Sequence, residues 1–143
     1  MSRRSAPSRS PDSLLRNALR ANAGFSGLCG LSAALASGAL ASALGPPAAF
    51  VSFQGVSLLL FSAALVWLAT RPSIRPGFAL AVVVMDLLWV AGTAAPLLAS
   101  GRLTPLGIPV VGGLAVIVLG FAGAQYAGVR RVKQAGEAPV AAA

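Results

Sequence analysis

The sequence predicts an all-α fold, an integral membrane four-helix transmembrane bundle with its N and C termini cytoplasmic. Three observations predict it. Hydrophobic residues make up 57% of the chain and charged residues 10%, against about 25% charged in an ordinary soluble domain. The apolar residues fall into four stretches of about 20, enough at 1.5 Å per residue to cross a hydrocarbon core about 30 Å thick. The basic residues lie in the short segments between those stretches rather than on one face, which is how membrane topology is written. Mean hydropathy is +0.82, and 143 residues give room for one compact unit.

The elements follow in order. Residues 1–13 are rich in Ser, Arg and Pro and are read as a disordered basic tail. Asp12 or Ser13 can cap a helix starting at Leu14. Over 14–24, Leu14, Leu15, Ala18 and Leu19 form one face, with Arg16 and Arg20 on another. That pattern suits either a juxtamembrane amphipathic helix in the headgroup region or an extension of the first span. The transmembrane domain, 25–133, holds spans over about 25–44, 50–69, 77–98 and 107–129, and 134–143 form a disordered C-terminal tail. Proline marks each break, at Pro46 and Pro47, Pro72 and Pro76, and Pro105 and Pro109, where a missing donor removes no helix bond. Pro96 falls inside the third span and is expected to kink or end it. The first stretch, too long for a signal peptide core of about 7–15 residues, is read as an uncleaved span.

Arg3, Arg4, Arg9, Arg16 and Arg20 precede the first span, Arg71 and Arg75 separate the second and third, and Arg130, Arg131 and Lys133 follow the fourth. Only Arg102 lies on the other side. The excess of positive charge makes the first side cytoplasmic in a bacterial plasma (inner) membrane, with a multi-pass chain. Trp67 and Tyr126 fall near that interface, where amphipathic rings prefer to sit. The cluster after the fourth span can attract anionic lipids, so the bilayer itself is an expected partner. Dispersed charge of this kind argues against nucleic acid as a partner.

In the first span Ser26, Gly30, Ala34, Gly38 and Ser42 recur every fourth residue, and Gly120, Ala124 and Gly128 repeat the device in the fourth. Small residues at this spacing let helix backbones approach closely, which matters where burial of apolar surface does not drive association. The row winds around the helix, because four residues turn it by about 400°. It implies a right-handed crossing or two neighbours in succession. Helices of other membrane subunits, or of a second copy, are expected to dock there, and Gly30→Leu or Gly38→Leu is expected to disrupt assembly.

Asp86 is the only charge within the four spans. A carboxyl at that depth costs about 2.5–3.5 kcal/mol on insertion scales and calls for a role. Trp89 and Thr93 share its helix face at i+3 and i+7. No Lys or Arg stands at that level, so hydrogen bonds rather than a salt bridge are expected, from Gln125, Asn22 or Tyr126; Gln54 is placed too near the far surface to reach. Three roles stay open: a neutral acid pinning two helices, a carboxyl that handles a proton or a lipophilic cation with Trp89 lining the site, and a contact with another protein. Cys29 is read as a small buried apolar residue.

The chain has no histidine and a single cysteine, which leaves no disulfide framework and no Cys/His metal site. No nucleophile elbow or phosphate-binding glycine loop is present, so no catalytic residue, metal or cofactor is assigned and no enzyme activity is expected. In size and span number the chain resembles the small multidrug resistance transporters, and that resemblance implies an antiparallel dimer built around one intramembrane acid. It departs from their pattern at the acid, a glutamate of the first span there and Asp86 of the third span here, and in its strong one-sided arginine bias. It also lacks the paired cysteines of four-helix quinone-linked thiol oxidoreductases. The expected function is that of a non-catalytic helix-docking subunit of a membrane complex, with a small carrier or ligand-binding bundle centred on Asp86 as the alternative.

Overall fold

A computed structural model describes residues 12–137, so most of the two expected tails, 1–11 and 138–143, lies outside the described residues. Among those described, the fold is entirely helical: α1 (Ser13–Leu35), α2 (Ser37–Leu44), α3 (Ala48–Thr70), α4 (Pro76–Trp89), a π turn (Val90–Ala94), α5 (Ala95–Ala99) and α6 (Gly107–Glu137). Ala48–Thr70, Pro76–Ala99 and Gly107–Gly136 are each long and apolar enough to cross a bilayer, and α1 with α2 makes a fourth if that bent pair is one crossing.

The first span differs most from expectation. The helix is continuous from Ser13, so 14–24 is no separate surface element. Leu15 and Leu19 have no exposed surface and join Leu65, Leu68, Ala79 and Val129 in a core at one end of the bundle. The second half of the expected span turns away: at Ala36 the backbone leaves helical geometry (φ −119°, ψ 29°) and α2 departs at 95°. Twenty-three residues of α1 measure about 34 Å, comparable to the thickness of a hydrocarbon core, before the bend. Residues 134–137, assigned to the C-terminal tail, continue α6 as helix.

The third span does not end at Pro96. A proline clashes with the carbonyl four residues back and supplies no N–H. The chain answers with a π turn, in which the Ala95 N–H donates to the Val90 carbonyl, and helix resumes through Ala99. Local widening of this kind re-registers the hydrogen bonds without breaking the rod.

The helices run up and down, and α1 is the centre of the packing. Along α3 its partners descend from Leu65 near Leu19 to Gly55 against Gly30 and Ala34, an antiparallel pairing. On its other side it meets α6, with the Phe25 and Phe121 rings 5.6 Å apart and Gly128 pressed on the Leu15 backbone. The helix α6 then packs on α4, whereas α3 and α4, consecutive in sequence, are not packed on each other along their lengths. The bundle therefore has three closed edges and one open seam.

Both ends are fastened by polar caps. Arg16 reaches from α1 to the carbonyls of Ala69 (3.0 Å), Arg71 (2.7 Å) and Pro72 (2.8 Å) while pairing with Asp12 at 2.6 Å. The first is one of the carbonyls that a helix leaves unbonded at its C-terminus, and the other two belong to the loop that follows α3. At the other end the Thr104 hydroxyl accepts from the Gly107 N–H (2.9 Å), capping α6 ahead of Pro105, and donates to the Ala43 carbonyl (2.6 Å) of α2. Gly45, at φ 106°, makes the turn that brings α2 against this loop.

Candidate functional site

The site is built where α1, α4 and α6 bring their few polar side chains to one level. Asp86 is ten residues into α4, about 15 Å from its start. Asn22 is nine residues into α1 and so at a matching depth, because the helix starts at Ser13. Its Nδ2 donates to Asp86 Oδ2 at 2.9 Å, and its own Oδ1 accepts from the Ser26 hydroxyl at 3.0 Å. Asn22, Ser26 and Asp86 keep 1%, 4% and 3% of their surface. A chain Ser26→Asn22→Asp86 thus fixes the carboxyl from across the bundle. Buried polar groups are affordable only when so bonded.

From α6, Gln125 lies beside the same carboxyl and is wholly buried. Neither its amide nitrogen nor its oxygen reaches hydrogen-bonding geometry with any group among the described residues. Trp89 Nε1, one turn above Asp86, is buried and unpartnered as well. Two orphaned polar side chains next to a buried acid are a departure from the near-complete satisfaction usual in protein interiors.

Beside Asp86 opens a cavity of about 140 Å³, close to the roughly 150 Å³ that holds a benzene ring in an engineered protein core. Phe25, Ser26 and Cys29 of α1, Gln54, Ser57, Leu58 and Phe61 of α3, Met85, Asp86 and Trp89 of α4, and Leu114 and Val118 of α6 line it. Its walls are apolar and its polar groups few, the usual make-up of a small-molecule site. Since α3 and α4 are not packed together, the cavity lies behind the open seam, with half-exposed Met85 at its margin.

Of the residues singled out from the sequence, Asp86, Asn22, Gln125 and Trp89 come together. Thr93 does not: it lies in the π turn and is not part of the cavity wall. Tyr126 is 50% exposed on the bundle surface and leaves the cluster, consistent with an interfacial ring instead. Gln54 and Cys29 both line the cavity, Gln54 without a hydrogen bond to Asp86 and Cys29 only half-buried. Ser57 was not anticipated, since an isolated serine in an apolar run carries no sequence signal. Among the described residues no group of three or more His, Cys, Asp or Glu is placed to hold a metal.

The small-residue row needs correction. Ser26, Gly30 and Ala34 face α3 and the polar cluster, so the row is spent on packing within the chain. Gly38 and Ser42 belong to α2 beyond the bend; a Cβ at Gly38 would meet nothing within 4 Å, and the Ser42 hydroxyl returns to the Gly38 carbonyl. In α6, Gly128 packs on Leu15, half-buried Ala124 is adjacent to Gln125, and Gly120 faces open space. Gly55, opposite Gly30 and Ala34, is the small partner that the periodicity of α1 did not reveal.

No family model matches this chain, and neither the curated proteins nor the solved structures include a significant match to it. What the site can do therefore rests on its own geometry: a positioned carboxyl, an indole, a neighbouring amide and a ring-sized apolar space.

Proposed function

We propose that this protein is a small, non-catalytic ligand-binding bundle of the bacterial inner membrane, crossing it four times with both termini in the cytoplasm. The observation that carries the reading is Asp86 on the wall of a ring-sized cavity, held by Asn22 and next to two polar groups that lack partners. A carboxyl kept only to pin helices would leave neither the space nor the orphaned groups. A ligand in the cavity can accept from the Trp89 N–H and pair with the Gln125 amide, and a proton carried on the acid can donate to the Gln125 oxygen. The arginine asymmetry supports the orientation.

Protein extracted with its native lipids and weighed intact by native mass spectrometry is expected to carry a small bound molecule that Asp86→Leu releases, at unchanged helical content. Equal occupancy in both proteins, or none in the wild type, refutes the reading. Ala48→Cys, in a Cys29→Ala background, is expected to react with impermeant reagents from outside the cell; reaction only from the cytoplasm reverses the orientation.

A second reading, that of a helix-docking subunit, is favoured by one face of α6. Gly112, Gly113, Gly120 and Gly123 have no neighbour within 4 Å of their Cβ positions, so another helix can approach there. It predicts reproducible co-purification with a larger complex, and a solitary monomer after mild solubilisation counts against it.

A further inference from the structure

The geometry points to a binding site for the phosphate of an anionic phospholipid between Arg71 and Arg75, at the mouth of the open α3–α4 seam. A second cavity, about 310 Å³, is lined there by Trp67, Leu68, Arg71, Ser73, Arg75 and Phe78. It is distinct from the Asp86 cavity and shares no residue with it. The inference rests on the membrane placement proposed above, not on what the Asp86 site binds.

Four features of this place suit a phosphate with chains attached. Its two guanidiniums are uncommitted: among the described residues neither Arg71 nor Arg75 forms an ion pair, the ion pair of this end being Arg16 with Asp12. A guanidinium offers a planar fork of donors to phosphate oxygens, and Ser73 adds a hydroxyl. The Arg71 guanidinium carbon stands over the Trp67 ring, 3.9 Å from its centroid, a cation–π contact that holds the group at the cavity. The loop is rigid before any ligand arrives, because Arg16 bonds the carbonyls of Ala69, Arg71 and Pro72, and preorganised donors bind at lower entropic cost.

The fourth feature is what continues from the site. Trp67 and Phe78, each 52% exposed, flank it as rings at headgroup level do. Above them α3 and α4 stay apart, so an acyl chain can follow the face Phe78–Val82–Met85, about 10 Å of helix. Basic pockets between membrane helices are established seats for anionic headgroups. A soluble phosphate has the two arginines to bind but nothing to place in the seam.

The test uses the full chain in mild detergent, with phosphatidylglycerol and phosphatidylcholine of identical chains added in equal amounts and bound lipid counted by native mass spectrometry. Wild type is expected to retain phosphatidylglycerol at least tenfold over phosphatidylcholine. Arg71→Gln with Arg75→Gln is expected to abolish the preference, as is Ser73→Trp, which fills the cavity at unchanged charge. Arg130→Gln with Arg131→Gln, at the same end but outside the cavity, is expected to keep it. Retained preference in the first two variants, or its loss in the third, overturns the site. Displacement of the lipid by millimolar glycerol phosphate as readily as by phosphatidylglycerol overturns the lipid as ligand. A protein soluble without detergent sinks the membrane placement itself, a different failure from loss of headgroup preference.

Discussion

Gly55→Ala adds one methyl group where two backbones touch. A Cβ at Gly55 would stand 2.5 Å from the Ala34 nitrogen and 2.9 Å from both the Ala33 carbonyl carbon and the Gly30 oxygen, where ordinary contact begins near 3.4 Å. All three are main-chain atoms of α1, so no side chain can swing aside, and relief requires the two helices to separate. Overpacking of this kind costs about 1–3 kcal/mol. Against it stands the helix propensity of alanine, which favours alanine over glycine by about 1 kcal/mol. Gly120→Ala supplies the control, since its added methyl meets nothing within 4 Å and gains the same propensity. The propensity term cancels between the two variants, leaving the clash: Gly55→Ala should be less stable than Gly120→Ala by about 1–3 kcal/mol. Reversible unfolding in mixed micelles, followed by circular dichroism, measures that difference. Variants within about 0.5 kcal/mol of each other, the size of an ordinary surface effect, refute the close packing of α1 on α3.

Two further outcomes test the caps. Arg16→Gln removes three charged bonds to the end of α3 and the loop after it; because two of them are solvent-exposed, the loss should be about 1–2 kcal/mol, with faster hydrogen exchange at residues 69–71, and unaltered exchange there contradicts the assignment. Thr104→Ala removes the α6 cap and the tie to α2, and should cost about 1 kcal/mol while raising proteolysis at the 100–106 loop; a neutral effect on both contradicts it.

Hydropathy made three of the rods legible, two of them within a few residues at both ends and α6 at its start, since an apolar run leaves a continuous signature while the polar end of α6, to Glu137, does not. It misplaced the first. Arg16, Arg20 and Asn22 lower the hydropathy of the α1 N-terminal half, yet one face of that half is buried, with Arg16 spent on carbonyls and Asn22 on Asp86 while Arg20 stays exposed. Residues 36–44 are as apolar as a span but lie across the bundle, held by Thr104. Composition reports solvent preference and is silent on direction. The acid cluster was readable because polar residues are so few that Asp86, Asn22 and Gln125 have little else to meet. The cavity was not, because it depends on α3 and α4 staying apart, which neither helix encodes alone.

The right-angle turn at Ala36 has a consequence for shape. In the proposed orientation α2 is a rod about 12 Å long lying flat among the periplasmic headgroups, with no equivalent element opposite among the described residues. The molecule then takes up more area in one leaflet than in the other, as a wedge does. Such a body fits best where the sheet bulges outward, and lateral tension applied to that leaflet alone will be felt at α2 first.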